Sequence, residues 1–381
     1  MKPDCIIVGS GVIGCGTALE LASTGAKVSL LERGEAGQES SWAGGGILYP
    51  LLPWDYAGAV NHLVQRSIAL FPTWAEELQA ASGIDPEYRR CGMLVLPPFS
   101  TPKARAWCDT HATRLEMSGA RKIIPELAAD EEALWLPDVA QARNPRLLKA
   151  LRRRLEQLGV EISGHAEVTG WKNDGARITG VETSRGVLNA GRYIVTSGAW
   201  SRQLLGKHAL NLDIRPIRGQ MLLFKTKPGA LPAIILKNGV YLIPRRDGHV
   251  LAGSTLEDVG FDKSTTEEAK TMLYTQATGI LPLLKQAPLV RHWAGLRPGS
   301  PDNIPTIDRH PQLENLYISS GHFRYGVTMA PASAEIMANL ILGRPQAIDI
   351  TPYRWPGGNH HAVGANSFAK ERHGQGSPVG E

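Results

Sequence analysis

Two arginines and a tyrosine in the second half of the chain have the chemistry of a carboxylate clamp. Arg297 lies between Gly295 and Pro298 in Trp293-Ala294-Gly295-Leu296-Arg297-Pro298-Gly299, a context that predicts a turn. Arg324 follows the turn Gly321-His322-Phe323, and Tyr241 lies inside an otherwise apolar strand. A guanidinium fork can give a carboxylate two parallel hydrogen bonds, and a phenol can add a third. Each residue alone reads more simply as a surface arginine or a core tyrosine, so the clamp depends on what brings the three together. His322 is a candidate base, although a histidine at a tight turn more commonly just hydrogen-bonds backbone.

The second chemical signal is at the start of the chain. An apolar run, Cys5-Ile6-Ile7-Val8, reads as a buried parallel strand and breaks into Gly9-Ser10-Gly11-Val12-Ile13-Gly14. A helical pattern follows, closed by Gly25, and a second strand, Lys27 to Leu31, delivers Glu32. In a dinucleotide site Gly9 permits the tight turn, Gly11 lets backbone approach a pyrophosphate, and Gly14 lets helix and strand pack closely. The helix N-terminus offers N–H groups and a positive dipole end to that pyrophosphate. Glu32 is placed to accept hydrogen bonds from a ribose, which favours FAD or NAD over NADP. The small-residue patch Ser40-Ser41-Trp42-Ala43-Gly44-Gly45-Gly46-Ile47-Leu48 reads as a flexible loop or as a second cradle. In the second case Ser40 and Ser41 are phosphate ligands and the glycines let a planar ring lie close, which tilts the cofactor toward FAD.

The elements that must carry these residues divide by texture. Asn61 to Ser82 and Asn144 to Leu158 are predicted helices, the latter with Pro145 near its start, where a missing N–H costs nothing. Residues 101–140 read as helical and polar with many breakers. Tyr193 to Trp200 is an apolar strand running into small residues, which returns the chain to the nucleotide unit. From Ile214 to Trp293 strands dominate, with Asp247-Gly248 as a hairpin turn and one helix from Ser264 to Gly279. A helix is predicted from Ala332 to Leu342, opening after Ala330-Pro331, and the stretch from Gly364 to Glu381 reads as disordered.

The chain has 381 residues, 43% hydrophobic and 20% charged, enough for two cores and two domains. No apolar stretch approaches the roughly 20 residues of a transmembrane helix, and the first strand begins too early for a signal peptide, so the cytoplasm is the expected compartment. The four cysteines form no CxxC pair or metal spacing, and Cys5 and Cys15 read as buried free thiols. The net charge of +5 is scattered, and its densest run, Arg152-Arg153-Arg154, reads as a solvated helix face rather than a nucleic-acid site.

With these residues in hand, the chain resembles the glycine oxidase (ThiO) branch of the D-amino-acid oxidase superfamily. The resemblance is carried by GSGVIG with Glu32-Arg33, by SSWAGGGIL, by Val240-Tyr241-Leu242-Ile243-Pro244-Arg245, by Trp293–Gly299, by Asp308-Arg309-His310-Pro311 and by Gly321–Pro331, in order over most of residues 4–345. It implies an α/β fold with an α+β second domain: a Rossmann-like FAD-binding domain and an antiparallel-sheet substrate domain. The expected division is 1–85, 141–213 and 294–355 for FAD, 86–140 and 214–293 for substrate, and 356–381 as a flexible tail.

By the same resemblance Gly9, Gly11, Val12, Ile13, Gly14, Glu32, Arg33, Ser40, Ser41, Gly45, Gly46, Ile47 and Val168 contact FAD. The run His322, Phe323, Arg324, Tyr325, Gly326, Val327, Thr328 lies against the flavin ring. Arg297 binds the substrate carboxylate, assisted by Arg324 and Tyr241. Leu256, where some relatives carry methionine, shapes the small-substrate pocket, and with no cysteine near Ala294 the FAD is expected to be non-covalent. No metal is implied.

The implied activity is oxidative deamination of glycine, and of sarcosine and small D-amino acids, by hydride transfer from Cα to the flavin. Dioxygen is the implied acceptor, giving imine or glyoxylate, ammonia and hydrogen peroxide, with a role in thiamine thiazole synthesis. The positive end of the helix after Ala330-Pro331 would favour negative charge on the reduced flavin. A homotetramer without nucleic-acid or membrane partners is expected. Competing expectations are a D-amino-acid or sarcosine oxidase or dehydrogenase of the same fold, a tRNA-modifying FAD oxidase, and a flavin-binding subunit without turnover. The tRNA reading would need a basic-aromatic strip.

Overall fold

The computed structural model describes residues 2–357, so the predicted disorder of 364–381 falls outside the described residues. Strand β1 (Cys5–Val8), helix α1 (Val12–Ala22) and strand β2 (Val28–Leu31) form the opening βαβ unit. They sit within a six-stranded sheet whose order is Thr306–Arg309, Leu316–Ser320, Arg192–Val195, β1, β2, Glu161–Ser163. Its pairings are parallel except for the antiparallel edge strand Thr306–Arg309.

Both faces of this sheet are covered, which is why β1 reads as a continuous apolar run rather than an alternating one. Cys5 and Ile7 point into a core shared with α1 and the helices Gly58–Ser82, Asn144–Gln157 and Gly326–Leu342. Ile6 and Val8 point the other way, onto Val168, Ile178 and Val181 of a small three-stranded antiparallel sheet. Cys5 and Cys15 are buried free thiols, and Arg153 of the basic run is exposed.

The second large sheet has eight strands, in the order Leu289–Gly299, Arg215–Lys225, His249–Gly253, Val240–Pro244, Ile234–Lys237, Met93–Val95, Glu132–Leu136, Glu116–Gly119. One face packs on the helix Glu267–Ile280 through Leu222, Phe224, Leu242 and Ala252. The other turns Met221, Ile243 and Tyr241 toward Tyr49 and Leu51.

Five expectations change. Residues 101–140, read as helical, contribute two strands to this sheet, because Glu132–Leu136 buries Ala133, Leu134 and Leu136 against distant partners. Arg297 is on a strand, not a turn: Leu289–Gly299 is an edge strand, where Pro298 is tolerated because its missing N–H can face outward. That strand also runs straight through the expected domain boundary at 293–294. The last long helix begins at Gly326, not after Pro331, which it holds in its interior. Finally, the helix expected from Ser264 begins at Glu267, because Thr266 is its cap and accepts the Ala269 N–H at 3.3 Å.

Candidate active site

The two sheets meet around a cavity of about 530 Å³. At one end the Gly9–Gly14 turn carries the chain from β1 into α1. Gly9 has φ +111°, a left-handed conformation open to glycine, and a Cβ on Gly14 would stand 1.9 Å from the Gly9 carbonyl oxygen. Gly14 therefore serves packing, and Gly9, Gly11, Val12 and Ile13 line the cavity while Gly14 does not. Thr196, at the end of the neighbouring strand, ties the turn by donating its hydroxyl to the Gly9 carbonyl at 2.8 Å. Glu32 closes this end, and its carboxylate accepts Ser10 N–H and Oγ–H at 3.0 Å each.

The Ser40–Ala43 helix and the glycines after it form the opposing wall. Ser41 Oγ accepts the Val12 N–H at 3.0 Å, directly at the start of α1. Asn144 donates to the Ser41 and Gly44 carbonyls at 2.9 and 3.0 Å, and buried Arg245 donates to the Gly45 carbonyl at 2.7 Å. A side chain on Gly45 would strike Ile243 at 2.7 Å, and one on Gly46 (φ +76°) would meet the Ala142 carbonyl at 2.2 Å. This stretch is a backbone surface that admits no side chain. Thr328 Oγ1 donates to the Ile47 carbonyl at 3.0 Å, so the start of the last long helix, Gly326-Val327-Thr328, is clamped to the glycine wall.

Arg297, Tyr241 and Arg324 converge at the far end. The Arg297 guanidinium is held by neutral groups: Nη2 donates to Ser254 Oγ at 2.7 Å, and Nη1 to the Thr255 and Arg218 carbonyls at 3.2 and 3.4 Å. Desolvation lowers its pKa, and the charge of Arg324 adds to this, while Tyr241 acts in the opposite direction. A dehydrated cation held by neutral acceptors is a seat for an entering carboxylate. Tyr241 directs its hydroxyl to Met221 Sδ at 3.5 Å, and Tyr325 is buried edge-to-face on Tyr56 with ring centroids 5.1 Å apart.

His322 lines the cavity, but its Nε2 bonds Ser333 Oγ at 2.9 Å rather than backbone, and burial pushes its pKa down to about 3. It is a neutral imidazole at working pH and a poor proton acceptor. Leu256 does not line the cavity. It is 53% exposed on the segment that leaves the sheet after Gly253, so its side chain faces solvent instead of the pocket. Apart from Leu256 and Gly14, every expected contact residue, from Glu32, Arg33, Ser40, Ile47 and Val168 through Phe323, does line the cavity.

Ser254, Asn144 and the role of Arg245 were not foreseen from the residues alone. The signals were slight: a Gly-Ser step at a strand end, Asn before Pro at a helix start, and an arginine closing the Val240–Arg245 run.

The pattern of the FAD dependent oxidoreductase family, DAO, matches residues 4–340. The chain belongs to this family. FAD is thus its cofactor and oxidoreduction its chemistry, and the lining fits that group. An acidic acceptor lies beside the glycine turn, a helix N-terminus opens at the cavity, and the Gly44–Gly46 wall leaves room for a planar ring. Among relatives, the glycine oxidase of Pseudomonas aeruginosa is 43% identical over 93% of this chain and 98% of its own. The bifunctional protein ThiO/ThiG of a Nostoc species is 31% identical over 90% of this chain and 53% of its own. The crystal structure of glycine oxidase from Geobacillus kaustophilus superposes with a TM-score of 0.88 at 26% identity, covering 95% of this chain and 100% of that one. Among the described residues no helix is long and apolar enough to cross a membrane, and no group of three or more His, Cys, Asp or Glu side chains could hold a metal ion.

Proposed function

We propose that this chain deaminates glycine oxidatively, and with it sarcosine and small D-amino acids, with dioxygen as acceptor. The products are glyoxylate, ammonia and hydrogen peroxide. The observation that carries the reading is Arg297, a desolvated guanidinium with neutral protein partners in a cavity otherwise built for a dinucleotide. The 43% identity to a glycine oxidase supports the substrate.

In this reading Gly9, Gly11–Ile13, Glu32, Arg33, Ser40, Ser41, Gly45–Ile47, Val168 and His322–Thr328 hold FAD non-covalently. FAD, when bound, supplies the two-electron acceptor. Arg297 takes the substrate carboxylate bidentately, with Tyr241 and Arg324 as further donors, and so fixes which way Cα points. With His322 neutral and bonded to Ser333, no side chain is assigned to take a proton from Cα, and the substrate's own amine must enter uncharged. The Tyr325–Thr328 helix start directs N–H groups toward the cavity, where they favour developing negative charge.

The six-stranded sheet side is the proposed FAD domain and the eight-stranded side the substrate domain. A cytoplasmic homotetramer is the proposed form, and light scattering tests the tetramer. The kinship to ThiO/ThiG chains supports a place upstream of thiazole formation in thiamine synthesis.

The test is oxygen uptake by the purified protein with glycine, sarcosine, D-alanine and D-proline, beside Arg297→Ala. Peroxide release with glycine, and a glycine KM raised at least about 100-fold in the variant, is expected from loss of a charge-assisted bidentate contact. Bleaching of the yellow protein by glycine without oxygen uptake would make it a dehydrogenase. No reduction by any of the four would overturn the substrate assignment.

A further inference from the structure

The segment 254–266 joins the strand His249–Gly253 of the eight-stranded sheet to the helix Glu267–Ile280, yet it reaches the opposite wall of the cavity. Leu256, Val259 and Phe261 on it are exposed apolar side chains. Its base is pinned by Arg218, 4% exposed, which pairs with Glu257 and with Asp262 at 2.6 Å. Gln220 supports both ends, donating to Glu257 Oε1 at 2.9 Å and accepting the Thr266 N–H at 2.9 Å.

From this base two side chains reach across. The Phe261 ring stacks on Trp200, with centroids 5.7 Å apart and planes 25° from parallel. Lys263 Nζ donates to both carboxylate oxygens of Glu39, at 3.0 and 3.2 Å. On the far side the two contacts are joined: the Arg33 guanidinium lies 3.7 Å over the Trp200 ring and pairs with Glu39 at 3.0 Å. Phe261, Trp200, Arg33, Glu39 and Lys263 thus make a closed circuit that leaves the segment and returns to it two residues later. Trp200, Arg33 and Glu39 line the cavity beside Glu32, whereas Phe261 and Lys263 stand behind them.

We propose that the segment 257–266 is a cofactor latch: Phe261 and Lys263 hold the Glu32 end of the cavity in the arrangement that receives FAD. This rests on the family's FAD site. Arginine, glutamate and tryptophan side chains left free would have to be ordered at each binding event, which weakens affinity. Lys263 also offsets the Glu39 carboxylate, which precedes Ser40-Ser41 and would otherwise oppose an anionic pyrophosphate. Affinity for FAD then depends on two side chains that do not line its cavity.

The experiment is equilibrium titration of the FAD-free full chain with FAD, read by quenching of flavin fluorescence, alongside the melting temperature of each FAD-free protein. Phe261→Ala is expected to raise the Kd about three- to tenfold. Lys263→Glu should raise it about two- to fivefold at low salt and less at high salt, and Lys263→Arg should restore it. The FAD-free melting temperatures should match the unsubstituted protein. Tight binding by the unsubstituted chain with both variants within twofold of it would overturn the latch alone. A Kd increase that merely tracks a fallen melting temperature would also overturn it. If the unsubstituted chain does not bind FAD, the cofactor reading and the latch fall together.

Discussion

The Arg297 guanidinium occupies the space that a side chain on Gly219 would need: a Cβ there would stand 2.1 Å from Nη1 and 2.3 Å from Nη2. The two residues sit on adjacent antiparallel strands, with Ile217 opposite Arg297 and Gly219 opposite Gly295. Gly219→Ala is therefore expected to displace the guanidinium rather than unfold the sheet. Glycine KM should rise about 10- to 100-fold, as for a lost charge-assisted contact, with FAD affinity retained. Steady-state kinetics beside an FAD titration checks this, and an unchanged KM would refute it.

Acid stability should bear the mark of two buried histidines. His322 is pushed down to about 3 and His310 to about 4, in both cases chiefly by desolvation. His310 Nδ1 accepts the Gln312 and Leu313 N–H groups, so protonation there would break both bonds. An unfolded histidine titrates near 6.5, so below that pH the unfolded chain binds protons that the folded chain refuses. Stability is complete above about pH 6.5 and falls as pH drops, by up to about 1.4 kcal/mol per pH unit for each histidine. Urea midpoints at pH 7.5 and 5.0 should differ less in His322→Gln than in the unsubstituted protein. An equal difference would assign the acid loss elsewhere.

Arg245 spans three acceptors, Gln141 Oε1 at 2.6 Å, Ala142 O at 3.0 Å and Gly45 O at 2.7 Å, and burial lowers its pKa to about 10. Lysine cannot reproduce that fork, and the same desolvation would push an ammonium toward neutrality. Arg245→Lys is expected to loosen the Gly45 wall and weaken FAD binding by about tenfold, for a loss of one to two buried hydrogen bonds. The deficit should grow as pH rises. A Kd that does not respond to pH would show that only the fork matters.

Gly14→Ala tests the packing of α1 on β1. The obstacle is backbone, the Gly9 carbonyl at 1.9 Å, with Thr196 Oγ1 at 2.7 Å behind it, so no rotamer change relieves it. Stability to urea should fall by roughly 2–3 kcal/mol, as for overpacking, and FAD binding should be lost with it. Retention of both would mean that helix and strand can part without cost.

The opening βαβ unit was legible because its signals are local: an apolar run, glycines at the turn and an acidic residue at the next strand end. The Val240–Pro244 and His249–Gly253 hairpin was legible for the same reason, through Asp247-Gly248. The strands Glu116–Gly119 and Glu132–Leu136 were not, since a short polar segment and a short apolar one between breakers become strands only when distant partners supply the ladder. Leu256 was misplaced because matching a position in relatives does not say which way its side chain points once the backbone leaves the sheet.

The amino-acid sequence by itself determined the dinucleotide turn, the helical and strand periodicities and the kinds of side chain available for a carboxylate clamp, because these follow from backbone sterics and nearest-neighbour spacing. Tertiary structure alone decided that Arg297 meets Tyr241, Ser254 and the bare backbone of Gly219. It likewise decided that Arg245 reaches Gly45 and that Phe261 and Lys263 brace Trp200 and Glu39. Those contacts join residues tens to hundreds of positions apart, and their geometry is set by how two sheets pack, a property no local window of sequence contains.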